Sequence, residues 1–151
     1  MRKNTGLYRG KRKDNGEWVD GYYFERKDTK GNIIESVIIV DAYEQITGGQ
    51  RYLRSNMNQE CFRVDPETVG QYIGRTDMKR KKIFEGDIVQ RYKTEFNPPR
   101  KYKDPFVVRI NSEFPCAVEE YYSAFEHFTE KVGYEVVGNI HDTPELLEVS
   151  K

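Results

Sequence analysis

Residues 64–89 read VDPETVGQYIGRTDMKRKKIFEGDIV, and the order of helix breakers and apolar residues in them decides the fold class. Asp65-Pro66-Glu67-Thr68 is a helix start: a carboxylate placed to accept from the free amides of a first turn, and a proline whose φ is already helical. Gly70 follows at once, so the spacing predicts one turn and no longer helix. Residues 69–73 then run extended, Gly74 bends the chain, and residues 75–82 (RTDMKRKK) form an exposed basic turn. Residues 83–92 (IFEGDIVQRY) restart a strand, with Glu85-Gly86-Asp87 as a tight turn or bulge.

Outward from this stretch the chain reads mostly as strand. Residues 17–25 (EWVDGYYFE) carry the aromatic and β-branched side chains that suit a half-buried pleated surface. Residues 27–32 (KDTKGN) make a hairpin loop, with Gly31 and Asn32 able to take a positive φ. Residues 33–40 (IIESVIIV) form its second strand. Residues 41–46 (DAYEQI) are expected as a helical turn ended by Gly48 and Gly49, residues 51–60 (RYLRSNMNQE) as a polar mobile loop, and residues 60–64 as a short strand. Pro98, Pro99 and Pro105 remove ladder donors, which makes 93–105 a flexible loop. Strands are expected at 106–110, 116–122 and 134–140. Residues 123–132 suit either a short helix or an irregular strand. Asp142-Thr143-Pro144-Glu145 begins a short terminal helix. Many short strands joined by tight turns predict a mainly β protein, a small barrel- or sandwich-like assembly of antiparallel strands with one or two short helical turns.

At 151 residues the chain suits a single domain, 1–151, with β subdomains 1–64 and 65–151 as the division the pattern allows. Hydrophobic residues are only 36% of it, against 33% charged, but eleven Tyr, eight Phe and one Trp make up the deficit, each ring burying about 150–250 Å². No run approaches the ~20 apolar residues of a membrane span. The basic N-terminus lacks the apolar stretch of a signal peptide. Two cysteines, Cys61 and Cys116, do not make a disulfide framework. The expected state is a reduced protein in the cytoplasm, with no membrane partner.

Basic and acidic residues balance at 25 each, but not evenly along the chain. Residues 1–30 hold nine basic and five acidic side chains, residues 75–104 ten and five, and residues 113–151 two and nine. On separate faces these segments would polarise the molecule; solvated side chains can also sort this way without consequence. Two short runs are candidates for phosphate contacts: the turn Lys79-Arg80-Lys81-Lys82, with Arg91 and Lys93 nearby, and RGKRK (9–13), with Arg12 and Lys13, which could extend the same patch. Tyr8 or Tyr92 offers a ring on which a base can stack. A net charge of zero argues for the plainer reading, a solvated turn.

Chemistry that needs converging side chains finds little support. Cys61, Cys116, His127 and His141 have none of the close spacings that pre-arrange metal ligands. Nothing around Cys116 marks a thiolate activated by His127 or His141. Neither phosphate-loop glycine pattern is present. Glu85 and Asp87 flank a glycine in a turn, where carboxylates are usually solvated, and no second acid can be placed beside them. No catalytic residue, metal ligand or cofactor is therefore assigned.

Three segments together resemble the YopX family, small proteins found mostly in phages and prophages: RGKRKDNGEWVDGYY (9–23), the central 64–89 stretch, and YEVVGNIHDTPELLE (134–148). The resemblance implies a mainly β fold, an intracellular place and a mobile-element origin. It implies no catalytic residues, since none are established for that family. The family commonly has a Leu after the first turn glycine and an Asn-Gly pair in the turn, where this chain has Arg75 and Lys79-Arg80. Losing that glycine predicts a turn of different type or looser hold, and a more basic one. The expected function is non-catalytic binding of protein, either a partner or a second copy in a homo-oligomer, through strand edges that another chain can complete. Nucleic-acid binding through 9–13 and 79–82 is the alternative.

Overall fold

The computed structural model describes residues 7–102, 104–110, 117–119 and 132–148, with side chains described except at 41–44, 53–60 and 117–119. The segments 111–116 and 120–131, with the expectations for Cys116, His127 and the stretch 123–131, lie outside the described residues. The chain divides into two compact units, the first running to Gln71 and the second from Tyr72.

The first unit holds β1 (Tyr8–Lys11), β2 (Trp18–Lys27), β3 (Ile33–Thr47), β4 (Gln50–Arg63) and the start of β5 (Gly70–Thr76). They pair antiparallel in the order β4-β3-β2-β1-β5. Alternation along β2 turns Val19, Gly21 and Tyr23 to one face, where Val19 and Tyr23 pack against buried Tyr8, Ile38, Val64 and Val69. Gly21 is obligatory there, because a Cβ would lie 2.3 Å from the Ile39 carbonyl oxygen. The Tyr23 hydroxyl meets the buried Ser36 hydroxyl at 3.1 Å and donates to Glu25 at 3.0 Å, so its polar end is satisfied. A single bridge from Arg12 to Val64 brings the chain after β1 to the chain after β4. The described strands form no closed barrel.

The turn between β2 and β3 is organised by Asp28, whose carboxylate accepts from the Lys30 and Asn32 amides at 2.8 and 2.9 Å. Gly31 alone takes the positive φ, 86°, and Asn32 instead donates its side-chain amide to Asp28. Residues 41–46 and 51–60 differ from expectation: no helical turn or loop forms, and the two segments are the outer halves of β3 and β4. The Gly48-Gly49 pair, with φ of 59° and 78°, closes a two-residue loop between Thr47 and Gln50, which are partners in the ladder. Two successive positive φ values match the twist of a hairpin, so the chain folds back as strand. β2 pairs with β3 only over residues 33–39, so the hairpin continues beyond the sheet as a two-stranded ribbon.

Asp65 starts a single 3₁₀ turn, Pro66–Thr68, and accepts from the Glu67 amide at 3.1 Å. Thr68 Oγ1 donates to the Asp65 carbonyl and accepts from the Lys11 amide at 2.9 Å, which fastens the turn to β1.

The second unit contains the rest of β5, then β6 (Lys82–Phe84), β7 (Asp87–Lys93), β8 (Arg100–Lys101), β9 (Phe106–Ile110), β10 (Ala117–Glu119), β11 (Val132–Asn139) and a 3₁₀ turn, Pro144–Leu147. The sheet order is β10-β9-β7-β11, with β8 also on β7, so the segment 93–105 contains a short paired strand. Ile83, Val89, Phe106, Val108 and Tyr134 are buried together. Each such aliphatic side chain contributes about 1.5–3 kcal/mol by leaving water. The Glu85-Gly86 turn is tied on three sides. Gly86 (φ 89°) donates to Val108 and accepts from Ile140, and the buried Asp87 carboxylate accepts from the Phe84 amide at 2.8 Å. The protein is mainly β, its sheets antiparallel, and among the described residues helix is confined to two short turns.

Candidate interaction surfaces

The four cations of the 79–82 turn are not equivalent, and the reason is Asp77. This side chain, missed in the sequence, is 7% exposed. One carboxylate oxygen accepts from the Lys79 and Lys81 amides at 2.8 and 2.9 Å, and the other from the Val136 amide of β11 at 3.1 Å. The Met78 amide donates to the Tyr134 carbonyl at 2.8 Å. The turn thus lies along the outer side of β11, the last strand in its sheet, and takes up hydrogen-bonding groups that a further strand would use. Arg80 adopts φ 65°, the positive value that a glycine would take cheaply. The turn is therefore held by hydrogen bonds converging on Asp77 and is not loose.

Lys79 is engaged further. Its ammonium pairs with Glu135, whose other oxygen accepts from the Tyr92 hydroxyl at 3.1 Å. The Lys79 hydrogen bond, followed by that of Tyr92, holds the Glu135 carboxyl below the usual carboxylate range. Glu135 in turn raises Lys79. Burial first, then the Glu135 hydrogen bond, pushes the Tyr92 hydroxyl up, so it stays a donor. Arg80 and Lys81 are exposed and form no ion pair among the described residues, and Lys82 sits in β6 opposite Thr76.

The other basic run lies in the first unit. Arg12 donates from Nε and Nη2 to the two oxygens of Asp14 at 2.9 and 2.5 Å and lies 4.0 Å over the Phe62 ring. The Arg12 hydrogen bond lowers the Asp14 pKa. Lys13 is exposed, and its amide donates to the Arg63 carbonyl at 2.9 Å. Of the six cations singled out in the sequence, Arg12 and Lys79 are thus paired with acids, while Lys13, Arg80 and Lys81 are exposed.

A different surface is more open. β4 pairs with β3 on one side and, up to Phe62, with no other described strand. On the ribbon that it shares with β3, Ile46 is 66% and Tyr52 41% exposed, and Phe24 on β2 is 57% exposed. Large apolar side chains this exposed, beside an open strand edge, mark a place where another surface can gain by docking.

Residues 7–148 match the family described as YopX protein. The chain belongs to the YopX family. All three segments that carry the resemblance fall inside the match. In this YopX-family chain the central stretch supplies the Asp77 turn and the Gly86 turn. The closing stretch supplies β11 and the turn after it, where Asn139 Oδ1 accepts from the His141 and Asp142 amides, both at 3.0 Å. The crystal structure of protein EF1440 from Enterococcus faecalis is 23% identical, over 93% of this chain and 96% of that chain, with a TM-score of 0.49. No curated protein matches the chain. Among the described residues, no three His, Cys, Asp or Glu side chains are grouped to hold a metal ion, and no helix is long and apolar enough to cross a membrane.

Proposed function

We propose that this YopX-family protein is a non-catalytic β module that binds protein, foremost a second copy of itself, inside the host cell. The open edge of β4 and the ribbon with Ile46 and Tyr52 carry this reading. An isolated two-stranded ribbon is marginal in water, and pairing with another chain supplies both the missing ladder and cover for its apolar side chains. Size-exclusion with light scattering tests it: the native chain gives an oligomer mass, and Ile46→Asp with Tyr52→Asp gives a monomer of unchanged circular dichroism. A native monomer that retains no partner in a pull-down overturns the reading.

The second reading, nucleic-acid binding through Arg12, Lys13, Lys79, Arg80, Lys81 and Lys82, draws on Lys13, Arg80 and Lys81, which are exposed. It is weakened by the pairing of Arg12 with Asp14 and of Lys79 with Glu135.

A further inference from the structure

Across β7 and β8, cations and rings share one face. Lys93 is the ladder partner of Arg100, so the two side chains project together, and Arg91 and Tyr102, each two residues along its strand, project with them. The Lys93 ammonium lies 5.3 Å from the Tyr102 ring centre, the Arg91 guanidinium 4.7 Å from the same ring, and the Arg100 guanidinium 4.3 Å over Phe96. The hairpin is fixed at its base: Tyr102 donates its amide to the Arg91 carbonyl at 3.0 Å, and buried Gln90 donates to the Tyr102 carbonyl at 2.8 Å. Lys93 and Arg100 are exposed and form no ion pair among the described residues, while Phe96 and Tyr102 are half-buried. From 91 to 102 the chain carries four cations and one acid, Glu95.

We infer that this face binds single-stranded nucleic acid, a site separate from both 9–13 and 79–82. Cations at neighbouring ladder positions suit successive phosphates, and unstacked bases can lie on the outer plane of the Arg100 guanidinium, which the Phe96 ring backs from beneath. A duplex keeps its bases stacked inside and leaves the rings idle. An acidic peptide satisfies the cations but gives no use to the rings seated beneath them. Lys101, on the opposite face of the same strand with Tyr92, supplies an internal control.

The test is fluorescence anisotropy on the full chain with labelled oligothymidylate and oligouridylate of about 16 nucleotides, the upper end of the site size for one small β module. A duplex of equal length and a polyglutamate competitor complete the set. Binding to either single strand is expected, with a log–log salt slope near −2 for three phosphate contacts at about 0.7 each. Lys93→Ala and Arg100→Ala should each flatten that slope by about 0.7. Phe96→Leu should weaken binding about tenfold at unchanged slope, and Arg100→Lys should keep the slope but lose affinity. Lys101→Ala should leave binding intact. Equal affinity for the duplex, displacement by polyglutamate at matched charge, or an effect of Lys101→Ala equal to that of Lys93→Ala overturns the inference. So does an absence of binding at low salt by a chain whose thermal melt is normal.

Discussion

Arg80 shows how one residue can sit against its own preference because its neighbours insist. A side chain with a Cβ at positive φ costs about 1–2 kcal/mol, and here the amides on either side are committed to the Asp77 carboxylate. Arg80→Gly should therefore stabilise the protein by about 1 kcal/mol, after allowing for the freer unfolded chain. Thermal melts would read this as a rise of about 2–4 °C. Asp77→Ala should do the reverse, by about 3 kcal/mol, because three backbone amides lose a charged acceptor. Chemical denaturation with an unchanged m-value checks it. The sequence showed that the turn had lost a glycine but not that Arg80 would adopt its φ. Asp77 lay unremarked within RTDMKRKK because its partner Val136 is 59 residues away, a distance no local pattern reports.

At the level of elements, the contact of the 79–82 turn with β11 makes a pH-dependent contribution. Glu135 has a folded-state pKa below its unfolded value, so its contribution is complete above roughly pH 4.3 and is lost as pH falls through the folded value. Lys79, raised by the same pair, contributes below its unfolded value near 10.4 and loses that contribution as pH rises through the folded one. Glu135→Gln should flatten the acid limb of stability below about pH 4.3, measured by urea midpoints, and leave the ladder of β11 with β7 unchanged by hydrogen exchange. Most strands were legible because one face of each meets a core: 17–25, 33–40, 83–92, 106–110 and 134–140 all alternate or carry β-branched runs. The ribbon from 41 to 60 was not, since DAYEQI and RYLRSNMNQE show no sustained apolar alternation. Its only local clue was Gly48-Gly49, read as a helix stop when it is a hairpin loop.

For the molecule as a whole, the uneven charge of the sequence does not become a difference between units. The first unit from Lys3 carries eleven basic and eleven acidic residues, and the second from Tyr72 thirteen and fourteen. The basic 75–104 and acidic 113–151 segments fall in the same unit, and Lys79 with Glu135 joins one to the other. Long-range steering between near-neutral units is weak. Self-association through the apolar ribbon should thus change little between low and high salt, unlike attachment of a polynucleotide. Sedimentation velocity across a salt series separates these behaviours. The mainly β class was legible from turn residues and aromatic strands; the open ribbon and the shared cation–ring face were not, because both depend on register.

The Asp77 turn also works as a stopper. With Asp77 and Met78 in place, the outer rim of YEVV cannot recruit a like segment from a neighbouring molecule. Removing the carboxylate, as in Asp77→Ala, should uncover that rim and seed thioflavin-positive fibres growing from residues 134–137.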